Sequence, residues 1–181
     1  MISSIRKDTY LAMYRLLNSV SPLATDCGEL CGSICCLPVG EDLGIYLLPG
    51  EEKVFTQRED WISWDSESVD GYEFPDSWRG KVYFIRCKTA PICPREMRPL
   101  QCRFYPLEPH LTEDDRLLLI WSTANTPYTC PLIREEMTLE PSFIKASYTV
   151  WKRLIEEPLI YDLVKLDSDQ RGLFLPVYPD L

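Results

Sequence analysis

Residues 27–36 read CGELCGSICC, four cysteines in ten positions, and Cys87, Cys93, Cys102 and Cys130 follow singly. Thiols at this density do one of three things: they pair as disulfides, one of them acts as a nucleophile, or they ligate metal. An even count of eight is compatible with four disulfides. The first twenty residues, MISSIRKDTYLAMYRLLNSV, argue against export, because Arg6, Lys7 and Asp8 interrupt what would be a signal peptide's apolar core. The expectation is therefore a cytoplasmic protein, where thiols stay reduced and cysteine-rich chains more often bind metal than cross-link. A chain of 181 residues also buries a core without needing staples.

All eight cysteines, Cys27, Cys31, Cys35, Cys36, Cys87, Cys93, Cys102 and Cys130, are thus candidate metal ligands. A spacing of four between Cys27, Cys31 and Cys35 would stack them on one face of a helix. Gly28 and Gly32 weaken such a helix and favour a loop that curls the thiols around one centre, as short cysteine runs do around iron–sulfur clusters. Cys35 and Cys36 are adjacent, and neighbouring side chains point apart in most backbone conformations. The pair is therefore not expected to share one ion. Four thiolates close a tetrahedral zinc site or a cubane cluster, so the cysteines suffice for two sites, and their grouping stays open. Radical enzymes that use S-adenosylmethionine space a cysteine triad by three and then two intervening residues. Here the intervals are three and three, and the alternating strands and helices of their barrel are missing.

Charge is distributed unevenly around these residues. The formal net charge is −9, which disfavours nucleic acid as a partner. Residues 79–103 nevertheless hold seven bases against Glu96 alone, leaving 12 bases and 27 acids elsewhere. Three of the cysteines lie in this basic segment, and cations there would offset the negative charge of a thiolate-ligated metal. An equally weighted reading makes the segment a basic surface that docks an acidic protein, or a patch with no partner. Arg98 and Arg103 are candidate cofactor-binding residues, since their guanidinium groups can donate to cluster sulfurs. Arg98 precedes a proline and is expected to be extended and near the thiolates. Arg103 is expected to point away and to pair with a carboxylate.

These residues must be held by a modest set of elements. The pattern predicts a helix over residues 4–18 with Leu11, Tyr14, Leu16 and Leu17 on one stripe. It predicts a short strand at 44–48 turned by Pro49-Gly50, a short helix near EEKVFTQRE, and an irregular loop over 59–79. Strands follow at 81–86, delivering Cys87, and at 116–121, the latter wholly apolar and therefore central. Pro141 and Pro158 open two closing helices, which Gly172 and the proline-rich tail end. Fifteen prolines against eight glycines suggest stiff, irregular connections. The fold class expected is α+β: one small domain over residues 1–181, with few short strands, flanking helices and a loop-rich cysteine-bearing middle over about residues 27–131, and a helical part over about residues 141–168. No apolar run is long enough to span a membrane.

The order of these cysteines resembles a family. CGELCGSICC, then Cys87, then CPREMRPLQCRFYP, then Cys130 is similar to the YkgJ-type cysteine-cluster proteins, described as zinc- or iron-chelating domains. Cys93, Arg98, Pro99, Cys102, Arg103, Tyr105 and Pro106 carry the second segment of the resemblance, which spans roughly residues 27–131. Two features depart from it: the family spaces its first cluster more tightly, and Pro94-Arg95 stands where an aliphatic-aromatic pair is usual. A related cluster occurs in flagellin lysine N-methylases, where the resemblance implies an iron–sulfur cluster and leans the reading that way over zinc. It implies a metal-binding protein without a settled reaction. The alternatives are an accessory or catalytic domain in protein modification, of the lysine N-methylation kind, and a structural zinc-bound interaction module.

Other residues have plainer uses. His110, the single histidine, follows Pro109 in what reads as a polar loop, and with eight thiols present it is not needed as a ligand. Asp65, Glu67 and Asp70 read as surface charge, and Trp61, Trp64 and Trp78 as core beneath the long loop. No Ser-His-Asp set and no glycine-rich phosphate loop is present, and no catalytic residue is assigned.

Overall fold

The computed structural model describes residues 2–37 and 44–179. Helix α1 (Lys7–Asn18) precedes a one-turn helix α2 (Gly28–Cys31) and a 3-10 turn, Ile34–Cys36, which carry the first cysteines. Strand β1 (Ile45–Tyr46), a 3-10 turn at Glu51–Val54, and strands β2 (Ile62–Ser68) and β3 (Lys81–Cys87) follow. Helix α3 (Leu100–Phe104) leads to β4 (Leu107–Leu111) and β5 (Leu117–Trp121). Helices α4 (Pro131–Arg134), α5 (Pro141–Leu154) and α6 (Pro158–Gln170) and strand β6 (Pro176–Tyr178) complete the order. The strands form two antiparallel sheets, β1-β3-β2 and β4-β5-β6, and the arrangement is α+β. No helix among the described residues is long and apolar enough to cross a membrane.

The closing helices begin at Pro141 and Pro158 as their sequence predicts, because a proline at the first helical position lacks only a hydrogen bond that has no partner there anyway. Phe143, Val150, Trp151 and Leu154 of α5 and Ile160, Leu163 and Val164 of α6 are buried. In α1 the buried stripe is Tyr10, Met13, Tyr14 and Leu17, rotated from the expected one, and Leu16 is exposed. Strand β5 lies centrally between β4 and β6, and Leu117–Ile120 are all buried, as an apolar run covered on both faces requires.

Three expectations are corrected. Residues 62–68 are not an irregular loop but a strand paired along the whole of β3. Its polar composition hides it: Asp65 and Glu67 face outwards and form ion pairs across the sheet with Arg86. The tail does not merely end α6, since Pro176–Tyr178 adds a third strand beside β5. His110 is buried in β4 rather than in a polar loop. It takes a hydrogen bond at Nδ1 from Arg171 at 3.1 Å and packs on the Phe174 ring.

One buried carboxylate joins the elements that carry the cysteines. Glu51 has no solvent exposure. Its Oε1 accepts from the Tyr14 hydroxyl at 2.6 Å and the Leu100 amide at 2.8 Å, and its Oε2 from the Leu48 amide at 3.0 Å. Leu100 opens α3, so Glu51 caps that short helix from fifty residues away in the chain. Gly50 makes the placement possible. It has φ of +92°, and a Cβ there would lie 2.9 Å from the Cβ of Ser3. Burial pushes the Glu51 carboxyl up, while its three donors pull it down.

Both Glu51 oxygens receive backbone amides, so an amide side chain must turn its own NH2 against one of them. Glu51→Gln should therefore lower the unfolding free energy by about 1–3 kcal/mol. Urea denaturation followed by far-ultraviolet circular dichroism measures this, and an unchanged midpoint would contradict it.

Candidate metal centre

Each cysteine-bearing segment is positioned by a different device. Asp26 accepts the Gly28 amide at 3.0 Å to start α2, and Gly32, at φ of +63°, ends it. The Cys36 amide donates to the Ser33 carbonyl at 2.7 Å, closing the turn that holds the vicinal pair. Strand β3 delivers Cys87 opposite Ile62, and the Lys88 amide continues the ladder to the Trp61 carbonyl at 2.8 Å. Cys102 stands in α3, which Glu51 caps, and Cys130 immediately precedes α4.

Three of these lengths of chain meet at Arg98. Its Nε donates to Cys93 Sγ at 3.4 Å. Its charge also acts on Cys27, Cys36, Cys87 and Cys102. Burial alone would lower the Arg98 guanidinium, but the hydrogen bond to Cys93 and the charges of Cys93, Cys36 and Cys102 push it up. Cys31 and Cys130 act on Cys27, which brings the remaining thiols into the same group. Burial pushes Cys27, Cys87 and Cys102 up, most strongly Cys102, and neighbouring thiols add to this. All eight cysteines are free, and six of them, Cys27, Cys31, Cys35, Cys36, Cys102 and Cys130, line a cavity of about 510 Å³.

The vicinal pair departs from expectation. Cys35 and Cys36 do not point apart: their sulfurs lie 3.9 Å from each other within the 3-10 turn. Either sulfur can donate to the other; the hydrogen bond between them pulls Cys36 down, as the Arg98 charge does, and pushes Cys35 up. A separation of 3.9 Å matches one edge of a tetrahedral site, since zinc–sulfur bonds of about 2.3 Å place the sulfurs about 3.8 Å apart. Among the described residues, however, no three His, Cys, Asp or Glu side chains stand close enough to hold one ion. Thiols are soft donors of the kind that zinc and iron–sulfur clusters take.

No family model, no curated protein and no solved structure matches the chain. The likeness to cysteine-cluster proteins accordingly rests on the residues alone.

Arg98 and Arg103 have separate surroundings. Among the described residues Arg103 does not pair with a carboxylate as expected. Its Nε and Nη2 donate to the carbonyls of Arg98 and Arg95, the latter at 2.6 Å, and its guanidinium lies 4.6 Å from the centre of the Tyr14 ring. The short helix α3 turns this side chain inwards. His110 has Arg171 and Phe174 as partners, not a cysteine. Sequence reasoning missed a further wall residue of the cavity, Asp167. It is exposed, beside Ser168, which continues the buried stripe Ile160, Leu163 and Val164 of α6.

The two arginines should separate in unfolding experiments on metal-free protein. Arg103→Gln removes donors from buried carbonyls and should cost about 1–3 kcal/mol. Arg98→Gln, whose charge faces thiols, should cost much less. Equal losses in urea denaturation would refute the division.

Proposed function

We propose that this chain is a metal-binding protein of the cytoplasm whose cysteine cluster holds an iron–sulfur cluster. The observation that carries the reading is the gathering of free thiols from separate stretches of chain about the Arg98 guanidinium, which donates to Cys93 and acts on Cys27, Cys36, Cys87 and Cys102. Metal centres draw ligands from several segments in this way, and binding then contributes to folding. Free cysteines in this number suit a reducing compartment. The lean towards a cluster over a mononuclear ion rests on the resemblance to the cysteine cluster of flagellin lysine N-methylases. Cys27, Cys31, Cys35, Cys36, Cys87, Cys93, Cys102 and Cys130 form the ligand set, and Arg98 offsets its negative charge. Once bound, such a cluster would supply one-electron chemistry.

A second reading, structural zinc, is favoured by the 3.9 Å separation of Cys35 and Cys36. The net charge of −9 leaves nucleic acid the weakest choice of partner, and a protein partner remains compatible with the basic segment. A role beside a protein-modifying enzyme has only the resemblance behind it.

Anaerobic purification followed by elemental analysis and a visible absorption spectrum decides between the metals. Brown protein with iron and acid-labile sulfide supports the first reading, and colourless protein with stoichiometric zinc supports the second. Protein that takes up neither on reconstitution overturns both. On cluster-loaded protein, Arg98→Gln should move the reduction potential to more negative values, because the reduced state loses the neighbouring positive charge. An unchanged potential at full metal content would remove Arg98 from the centre. Cys102→Ser should lower the melting temperature of loaded protein as a chelator does, since the energy of ligation is then folding energy.

A further inference from the structure

Arg171 caps the C-terminal end of α6, and every nitrogen of its guanidinium is engaged. Its Nε donates to the Thr123 hydroxyl at 3.1 Å, and its Nη2 meets the Glu108 carboxylate at 3.1 Å. Its Nη1 reaches the Pro109 carbonyl at 3.3 Å and His110 Nδ1 at 3.1 Å. One side chain thus fastens the end of α6 to β4 and to the chain just after β5. A guanidinium only donates, so His110 Nδ1 must accept, and the imidazole is neutral with its proton on Nε2. The chain beyond Arg171 leans on this point. None of residues 172–178 is buried, and Leu173 is fully exposed. They are held by the Phe174 ring on His110, with centres 4.1 Å apart, and by the Trp121 amide donating to the Leu175 carbonyl at 3.1 Å. The pairing of β6 with β5 and the contact of Tyr178 with Tyr148 complete the attachment. A segment that buries so little apolar surface opens at small cost.

Among the side chains of this attachment, His110 is the one that ordinarily takes up a proton in mild acid. A proton on Nδ1 would turn the acceptor into a donor facing a cation. The other charges about the ring are Glu108 on β4 and Lys165 and Asp169 on α6. Burial first, then Arg171 and Lys165, hold the imidazole below its ordinary value, against Asp169 and Glu108. The Phe174 face would favour a charged ring, but the guanidinium opposes it directly across a hydrogen bond. We propose that His110 is an acid-sensitive latch for the tail that carries β6: the neutral ring holds Arg171 and Phe174, and the charged ring lets residues 172–178 leave β5. Release bares one edge of β5, with the Trp121 amide, as a template for another strand. The latch goes beyond the metal reading and does not depend on it. The docked ring takes a proton less readily than the released one. The docking it supports is therefore complete above the ordinary histidine value of about 6.5 and is lost as the pH falls through it towards the docked value.

The test uses full-length protein, its metal content measured at each pH, taken from about pH 7.5 to about pH 5. The single histidine makes the imidazole signals in heteronuclear NMR unambiguous. They should show the Nε2–H tautomer at neutral pH and a titration midpoint below about 6.5. Amide hydrogen exchange, expressed as protection so that its intrinsic pH dependence cancels, reads the tail through Trp121. Its protection should fall as the ring charges, by about tenfold for each unit by which the midpoint is depressed, while amides within α5 keep theirs. In His110→Asn, which keeps a neutral acceptor, Trp121 should be equally protected at both ends of the range. Four results would each overturn the proposal: an Nδ1–H tautomer at neutral pH, Trp121 protection that stays constant as the ring titrates, an equal loss in α5, or an acid loss that persists in His110→Asn. The last would move the effect to the carboxylates on which Arg171 acts, Glu108 and Asp167. The first three are read on wild-type protein, so they hold whether or not the variant folds.

Discussion

Glu51 holds the cysteine-bearing middle of the chain to the helices around it. It lies at the meeting point of α1, the turn after β1, and α3, and it answers a donor from each. The segments it joins have little regular structure of their own. Residues 88–99, for instance, contain only a 3-10 turn between Cys87 and the start of α3. A loop of that kind needs its backbone groups satisfied from outside. Arg103 does this from within α3, donating to the carbonyls of Arg95 and Arg98. Tyr14 links the two charges, its ring beneath the Arg103 guanidinium and its hydroxyl on Glu51. Acid and base thus balance across one aromatic side chain without direct contact, which limits the desolvation that a buried carboxylate and guanidinium would each impose alone.

This buried frame explains why two neighbouring arginines have different uses. Arg103 is committed to carbonyls, so its charge organises the backbone. Arg98, with its own carbonyl held by Arg103, is left to turn its side chain towards Cys93 and the other thiols. The frame therefore sets the direction of Arg98, and through it the electrostatics of the thiol group.

The legible parts of the fold were those where one pattern dominates. Strand β3, strand β5 and the helices opened by Pro141 and Pro158 combine strong periodicity or apolar runs with clear punctuation. Strand β2 was not legible, because a solvent-facing strand of serine and acidic residues carries no apolar signal, and only its pairing with β3 reveals it. His110 was misplaced for a related reason: Pro109 beside it suggests a loop, yet proline is tolerated in β4, which forms one edge of its sheet. At the site, residue type drew attention to the thiols and to Arg98, and Arg98 does donate to Cys93. Geometry within the cluster was another matter. Whether Cys35 and Cys36 point apart depends on local dihedral angles that a tight 3-10 turn sets, and Arg103 turns inwards because it stands in a helix of five residues.

The thiols about Arg98 are not equivalent, and the difference follows from how each is held. Burial pushes Cys27, Cys87 and Cys102 up, and neighbouring thiols add to this. Cys36 is pulled the other way, by its hydrogen bond with Cys35 and by the Arg98 charge. The guanidinium therefore favours loss of a proton at Cys36 first. Ligation of a metal by further thiolates would release protons that burial otherwise retains, and the positive charge of the metal would offset that cost where one guanidinium cannot.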